Sequence, residues 1–317
     1  MSLVELLRVT GLSANDISTL KETVAQAAIK CPVVTALQLH QKEGPAELSY
    51  GYLSTGCQQL DKFLRGGLLS RGITEIAGES ASGKTQLCIQ MCLTVQLPHE
   101  LGGFSAGAVY ICTEDVFPNK RLVQMVDLLK KRCHIPSVSD IKFTDNIFIE
   151  HAAELDDLSF CINKKLPVLL AKGQVKLIVI DSIAALFRCD FSVHEAAKRA
   201  KQLSAFAAQL TKLNCQYNAP VICVNQVSDV IHSTNGATQG SRKVMPSLGI
   251  CWANLVTCRL MLSRTNETVT VRQRDDAGNV VSCIEANVRN MEVMFAPHLP
   301  NTLCRYIIDH DGVKALS

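Results

Sequence analysis

The chain contains 317 residues, of which 47 % are hydrophobic and 19 % are charged, and its formal net charge is +3. This length and composition predict a soluble globular protein with one large α/β domain, or one such domain with a small appendage. No apolar run is long enough to cross a bilayer, and the start of the chain lacks the basic segment and cleavage site of a secretory signal, so we expect no membrane partner. So small a net charge does not identify a nucleic-acid-binding protein, and any basic surface must be local.

The 14 cysteines are scattered along the chain and form no C-x-x-C pair. Several of them, Cys88, Cys112, Cys223 and Cys258 among them, fall inside apolar segments. We therefore interpret them as reduced, small hydrophobic residues of a cytosolic or nuclear protein, with a zinc site as the remote alternative.

The N-terminal part of the chain predicts a small appendage. Residues 1–30 carry short helical patterns, including a helix cap at Ser13–Asp16, and we expect a short helical lobe there. Residues 31–55 have the composition of an interdomain linker, although Val33–Leu37 is apolar for an exposed segment. Such a segment requires a surface on which to dock. Residues 56–317 then form the main domain.

Residues 78–85 fit the phosphate-binding pattern G-x-x-x-x-G-K-[ST]. Its members, with the first helical residue after them, are Gly78, Glu79, Ser80, Ala81, Ser82, Gly83, Lys84, Thr85 and Gln86. A buried strand at 73–77 and a helix at 86–96 flank it in the required order, which leaves a chance glycine- and serine-rich turn as a minor alternative. We expect Lys84 to reach the β- and γ-phosphates and the hydroxyl of Thr85 to bind Mg²⁺.

After the P-loop, apolar strands alternate with helices, which predicts a mostly parallel sheet flanked by helices. Strands are expected at 108–112, 147–149, 177–181 and 220–224, and helices at 120–131, 154–170 and 194–214. Residues 228–247 are polar and aperiodic, as in a functional or disordered loop. The segments 255–262, 269–274, 283–288 and 305–309 are expected to form an antiparallel C-terminal extension of the same sheet.

Three polar residues follow predicted strands at the edge where the P-loop lies. Asp181 ends the most apolar strand, as a metal-side aspartate does, with a helix cap as the alternative. Glu114 follows the strand at 108–112 and could polarise water, or could be an ordinary loop acid. Gln226 opens the long polar loop and could sense the γ-phosphate, or could be a plain turn amide.

The order of these motifs resembles the eukaryotic RecA-type recombinases, and within them the paralogues of the strand-exchange recombinase. The run is Gly-Lys-Thr-Gln, then Tyr-Ile-x-Thr-Glu, Val-Ile-Asp-Ser, and Val-Asn-Gln before a polar loop. Thr35–Gln41, Ala108–Asp115 and Ala296–Pro300 sharpen the resemblance, which covers about residues 31–317. It implies a RecA-like P-loop ATPase core that uses ATP and Mg²⁺.

The resemblance assigns roles to individual residues of the nucleotide site. Lys84 and Thr85 would hold phosphates and Mg²⁺, Asp181 would hold the water shell of the metal, and Glu114 would position the lytic water. Arg121 matches the arginine whose flat guanidinium stacks on adenine, and Gln226 matches the γ-phosphate sensor.

The resemblance also implies DNA contacts through two loops. Residues 188–195 match the first loop and residues 227–248 the second. Arg188, His232, Arg242 and Lys243 are the candidate phosphate contacts, although a solvated loop is the simpler interpretation of any one of them.

Filament formation in this family uses a linker motif that docks on the neighbouring subunit, and Val33 and Ala36 occupy that place here. Trp252 stands where the recombinase carries a histidine that reaches the neighbour's nucleotide, Phe295 replaces a cation-binding aspartate, and Pro300 retains the proline that covers the adjacent adenine. Val33 fills less of a pocket than an aromatic residue, so we expect pairing with another paralogue rather than self-polymerisation.

These features favour a weak, DNA-dependent ATPase subunit of homologous recombination that stabilises the filament of the main recombinase. The expected partners are another recombinase paralogue (the C paralogue), the main strand-exchange recombinase, and single-stranded or branched DNA. The resemblance implies a nuclear location with some cytoplasmic protein. A nucleotide-bound adaptor that does not hydrolyse ATP, and a ring-forming RecA-like helicase or clock-type ATPase, are the alternatives.

Overall fold

A computed structural model describes residues 10–28, 33–41, 43, 51–132, 135–189, 195–229, 244–274 and 280–316. The chain divides into two compact units, residues 1–50 and residues 51–317. The predicted boundaries at residues 30 and 55 remain predictions.

The described part of the first unit consists of the helices α1 (Ala14–Ala28) and α2 (Ala36–His40). The hydroxyl of Ser13 donates to the Asp16 carboxylate at 2.7 Å, and the Asp16 N–H donates back to that hydroxyl at 3.2 Å. Thr35 caps α2 in the same reciprocal manner with Gln38. These short polar residues therefore fix where each helix begins.

The second unit alternates strands with helices in its first two thirds and consists mainly of strands after that. Its helices are α3 (Gln58–Phe63), α4 (Lys84–Thr94), α5 (Asn119–Arg132), α6 (Pro136–Ser139), α7 (Leu155–Phe160), α8 (Leu166–Ala171), α9 (Ile183–Cys189), α10 (Ala196–Tyr217) and α11 (Gly249–Ala253). Its strands are β1 (Tyr52–Leu53), β2 (Leu68–Leu69), β3 (Ile73–Gly78), β4 (Gly107–Cys112), β5 (Ile147–His151), β6 (Val175–Asp181), β7 (Val221–Asn225), β8 (Val227–Asp229), β9 (Val244–Pro246), β10 (Cys258–Arg274), β11 (Val280–Phe295), β12 (Leu303–Asp309) and β13 (Gly312–Ala315). No helix among the described residues has the length and apolar character needed to cross a bilayer.

Within the described residues, nine strands form one sheet in the order β13-β12-β11-β10-β3-β7-β6-β4-β5. The neighbouring strands β10, β3, β7, β6, β4 and β5 run parallel to one another. At the other end of the sheet, β10 pairs antiparallel with β11, β11 with β12, and β12 with β13. The predicted fold class, a RecA-like parallel sheet with an antiparallel C-terminal extension, is confirmed.

The central strands are buried on both faces because helices cover both sides of the sheet. In β6, Leu177 and Val179 point into one apolar core, which includes α4 and α5. Ile178 and Ile180 point into the other core, beneath α7, α9 and α10. The continuous apolar run of β6 follows from this burial, and its carboxyl end delivers Asp181 to the edge beside the P-loop.

The C-terminal third differs from the sequence-based expectation in one respect. The predicted strands at 255–262 and 269–274 belong to the single strand β10, and the segment at 283–288 belongs to the longer β11. Register shifts between Arg264 and Thr268 interrupt the alternation of side chains, which made one long hairpin look like several short strands.

Candidate nucleotide-binding site

The P-loop connects the buried strand β3 to α4 and requires glycine at two of its positions. A Cβ atom on Gly78 would lie 2.3 Å from the carbonyl oxygen of Leu262. Gly83 has φ +101°, and a Cβ atom there would lie 2.4 Å from the side chain of Ile308. The two glycines of the motif therefore let the loop turn against neighbouring strands.

The P-loop leads into α4 and holds the ammonium of Lys84 against its own backbone. The first backbone N–H groups of any helix have no intrahelical acceptor, and at α4 the N-cap residue is Gly83, which offers no side chain to satisfy them. The ammonium of Lys84 donates to the carbonyls of Gly78 at 2.8 Å and Glu79 at 2.7 Å. Burial lowers the pKa of Lys84, while the carboxylates of Asp181, Glu114 and Glu79 oppose that shift. A bound phosphate would supply the missing acceptors and charge.

The walls of the loop include two residues that the sequence did not single out. The Tyr306 hydroxyl donates to the carbonyl of Ser82, and the Arg289 guanidinium donates to that of Ala81 at 3.2 Å. Ser80, like Ala81, is exposed at the tip of the loop. Arg289 and Tyr306 come from the C-terminal strands β11 and β12. Nothing in the sequence around either residue indicated that it would contact the P-loop.

Asp181 accepts two hydroxyl hydrogen bonds at the carboxyl end of β6. Thr85 donates to its Oδ2 at 2.7 Å, and Tyr110 donates to the same oxygen at 2.6 Å. Burial raises the pKa of Tyr110 well above its ordinary value, so this phenol remains a neutral donor. These residues, with Glu114, line a cavity of about 280 Å³. Carboxylate and hydroxyl oxygens are the ligands that Mg²⁺ prefers, so the donor set fits this metal.

Glu114 lies in a hydrogen-bonded chain that reaches the exposed surface. Ser182 Oγ donates to one of its carboxylate oxygens at 2.8 Å, and Gln226 Nε2 donates to the other at 2.7 Å. Arg188 in turn donates to Gln226 Oε1 at 3.2 Å. The structure thus brings together three of the predicted residues: Glu114 follows β4, Gln226 follows β7, and Arg188 lies on α9.

Arg121 lies on the other side of the P-loop, beside a cavity of about 420 Å³. Its guanidinium donates to Gln86 Oε1 at 2.8 Å and to the carbonyls of Asp309 at 2.7 Å and His310 at 2.9 Å. Burial lowers its pKa, and the nearby aspartates oppose the shift. The bonds hold the guanidinium as a fixed flat surface, which suits stacking against a base.

A buried polar network below the P-loop was not predicted from sequence. Arg259 Nε lies 2.6 Å from a carboxylate oxygen of Glu75, whose side chain is fully buried, and Asn225 donates to the other oxygen at 2.5 Å. Burial raises the pKa of Glu75, and the charge of Arg259 opposes that effect. The sequence did contain one signal of this network. Glu75 is the one acid in the fully buried strand β3, and a buried charge requires a partner.

Trp252 occupies a different environment from the predicted subunit interface. Its side chain is completely buried in the core beneath α7, α9 and α10, where its indole N–H faces Glu75 without reaching hydrogen-bond geometry. The centroid of the Phe295 ring lies 5.2 Å from the guanidinium carbon Cζ of Arg259. The Trp252 side chain is therefore not free to contact a neighbouring subunit in this arrangement, whereas Phe295 is only partly buried.

Three of the remaining predicted residues are exposed. Val33 and Ala36 are exposed in the first unit, and Pro300 is exposed between β11 and β12. His232, Arg242 and Lys243 lie outside the described residues. The cysteines at 88, 112, 223 and 258 are buried free thiols, and no cluster of metal-binding side chains occurs among the described residues.

Comparison with known proteins identifies the family of the chain. The Rad51 family model matches residues 49–316. The chain belongs to the Rad51 family. This Rad51-family chain is 41 % identical to DNA repair protein XRCC3 of Mus musculus over 98 % of its own length and 89 % of that protein. It is 45 % identical to the XRCC3 of Bos taurus over 90 % of its length and 80 % of that protein.

More distant relatives have related names. DNA repair protein rhp57 of Schizosaccharomyces pombe is 29 % identical over 95 % of this chain and 92 % of that protein. DNA repair protein RAD51 homolog 2 of Homo sapiens is 29 % identical over 83 % of the chain and 72 % of that protein. The resemblance of this chain to the recombinase paralogues is therefore confirmed.

Proposed function

We propose that this chain is an ATP- and Mg²⁺-binding subunit that acts in homologous-recombination repair of DNA double-strand breaks. The observation that carries the proposal is the 2.7 Å hydrogen bond from Thr85 in the P-loop to Asp181 at the end of β6. It joins a phosphate cradle to a metal-side acid at one edge of the sheet, as nucleotide hydrolysis requires. Membership of the Rad51 family and relatives named as DNA repair proteins support the biological role.

The residues of the cradle would bind and orient the triphosphate. Lys84 would exchange its two carbonyl acceptors for the β- and γ-phosphates, and Arg121 would present its guanidinium plane to adenine. Thr85 and Asp181 would hold Mg²⁺ directly and through its water shell, with Tyr110 fixing the orientation of the aspartate. When bound, Mg²⁺ neutralises charge on the phosphate oxygens.

Glu114 is the residue suited to orient the attacking water. Ser182 and Gln226 hold its carboxylate in one orientation through one hydrogen bond on each oxygen. Arg188 connects this group to the surface through Gln226. A DNA phosphate that binds Arg188 would withdraw its hydrogen bond from Gln226, which gives a direct route from DNA contact to ATP turnover.

The chain would work within a heteromeric complex. Val33 is fully exposed, which supports docking of this linker segment on another recombinase paralogue, the C paralogue, together with Ala36. Arg188, His232, Arg242 and Lys243 would contact single-stranded or branched DNA, and the complex would stabilise the filament of the main recombinase. Its site of action would be the nucleus, with some protein in the cytoplasm.

A second function, a nucleotide-bound adaptor without turnover, is favoured by one observation. Both carboxylate oxygens of Glu114 already accept hydrogen bonds from protein donors, Ser182 and Gln226. A carboxylate whose acceptors are occupied is less available to a water molecule. In that case ATP would order the subunit and its contact with the partner.

ATP turnover by the purified chain separates the two functions. We expect slow hydrolysis that single-stranded DNA stimulates, and loss of turnover in Glu114→Gln with ATP binding retained. Turnover that DNA does not change, or that persists in Glu114→Gln, would contradict the ATPase proposal. Tight binding without any turnover, alone and with the co-expressed paralogue, would establish the adaptor instead.

A further inference from the structure

Strands β11 and β12 pair along only part of their length and then separate. Their register runs from Glu292↔Leu303 to Arg289↔Tyr306, and within the described residues β12 makes no pair with β11 before Arg289. The segment 284–288 of β11 nevertheless continues as a strand, paired on its other side with β10. The cavity beside Arg121 lies in the cleft between this segment and residues 308–310.

The alternation of a strand determines which backbone groups face the cleft. Val293 N–H donates to the carbonyl of Thr302 at 2.9 Å, so its backbone faces the β12 side. The N–H and C=O of every second residue share a side, which places those of Glu285 and Asn287 there as well. In agreement, the carbonyl of Val288 points the other way and accepts from Thr265 of β10 at 2.8 Å.

Of the backbone groups that face the cleft, one carbonyl is already occupied by a side chain of the protein. The carbonyl of Asn287 already accepts from the Arg289 guanidinium at 3.0 Å. The carbonyl of Glu285 and the N–H of Asn287 remain on the open edge, one acceptor and one donor two residues apart. The side chain of Glu285 is held by Thr268, whose hydroxyl donates to it at 2.7 Å, so it is drawn toward β10.

We propose that this open edge of β11 reads the Watson–Crick edge of the nucleobase and selects adenine. The carbonyl of Glu285 would accept from the 6-amino group of adenine, and the N–H of Asn287 would donate to N1. Guanine presents an acceptor at position 6 and a donor at N1, so it opposes both groups. The inference rests on the proposed binding of ATP and adds the residues that choose the base.

The rest of the cavity suits a flat base between a cation and apolar side chains. Arg121 forms one side, while Ile284, Ala286 and Ile308 supply apolar surface. Stacking against the guanidinium favours any base, so stacking alone cannot distinguish ATP from GTP. Discrimination therefore depends on the polar edge of β11.

Competition binding to the full chain tests the assignment with unmodified protein. ATP is compared with GTP, with purine riboside triphosphate, which lacks the 6-amino group, and with 1-deaza-ATP, which lacks the N1 acceptor. We expect each adenine analogue to bind about 3- to 10-fold more weakly than ATP, and GTP more weakly still. Equal affinity for all four would overturn the inference while leaving nucleotide binding intact. Failure of every triphosphate to bind would overturn the proposed function as well.

A proline substitution tests the donor by itself. Asn287→Pro removes the N–H that faces the cleft, whereas Asn287→Ala retains it and removes only the side chain. We expect ATP and 1-deaza-ATP to bind Asn287→Pro equally, with the preference for ATP over purine riboside triphosphate unchanged. If Asn287→Ala also bound ATP and 1-deaza-ATP equally, the assignment of the N1 donor to the backbone N–H of Asn287 would be overturned. Should the proline variant fail to fold, by circular dichroism, the analogue series on the unmodified chain still decides.

Discussion

Removal of Arg259 should destabilise the protein by leaving a buried charge without its partner. The carboxylate of Glu75 is completely buried and lies 2.6 Å from Arg259 Nε. Breaking such a pair costs about 3–5 kcal/mol, and loss of the contact with the Phe295 ring adds about 0.5–1 kcal/mol. With a slope of about 3 kcal/mol/M, the urea midpoint of Arg259→Met should fall by about 1–2 M.

The stability of Arg259→Met should also depend on pH. Burial raises the pKa of Glu75, and the variant lacks the charge that opposes this shift. The folded variant therefore binds a proton more tightly than the unfolded chain does. Its stability should be greatest below the ordinary glutamate pKa of about 4.3 and decline as the pH rises through the raised value.

The double variant Glu75→Gln/Arg259→Met is the control, because it removes both charges. We expect it to regain at least half of the lost free energy of unfolding, measured by urea titration with circular dichroism. If the double variant is as unstable as Arg259→Met at neutral pH, packing rather than the uncompensated carboxylate accounts for the loss, and the reasoning is refuted.

Three further predictions concern the nucleotide site. Asp181→Asn should weaken binding of ATP about tenfold in Mg²⁺ and much less in a chelator, by calorimetry; equal effects would exclude a metal role. Because burial lowers the pKa of Lys84, ATP affinity should fall as the pH rises through that lowered pKa, before the pH reaches the ordinary lysine value of about 10.4, and a flat profile would contradict this. Gln226→Ala, which frees Glu114, should reduce DNA stimulation of turnover about tenfold; unchanged stimulation would remove Gln226 from the route.

The site residues that were predictable from sequence are those whose position follows from short-range pattern. The P-loop is a local motif between a strand and a helix. Asp181, Glu114 and Gln226 each follow an apolar strand, and the carboxyl ends of parallel strands meet at one edge of a sheet. Their proximity could thus be expected before any distance was known.

The residues that sequence reasoning missed depend on contacts between distant segments. Glu75 and Arg259 come from adjacent strands that are far apart in the chain, and nothing local specifies their register. Tyr110 lay within a recognised motif, but its role depends on pairing of β4 with β6. Trp252 was predicted to lie at a subunit interface because of the residue it replaces, whereas its large apolar side chain is buried in the core.

Titration of the chain with ATP in Mg²⁺, beside Lys84→Ala, tests the central claim most directly. Lys212, an exposed lysine on α10, provides the matched control in Lys212→Ala. We expect saturable binding at one site, weakened about 10- to 100-fold by Lys84→Ala and unchanged by Lys212→Ala. Absence of binding, or equal affinity in all three proteins, would contradict the account of this site as the place where a Rad51-family chain holds ATP.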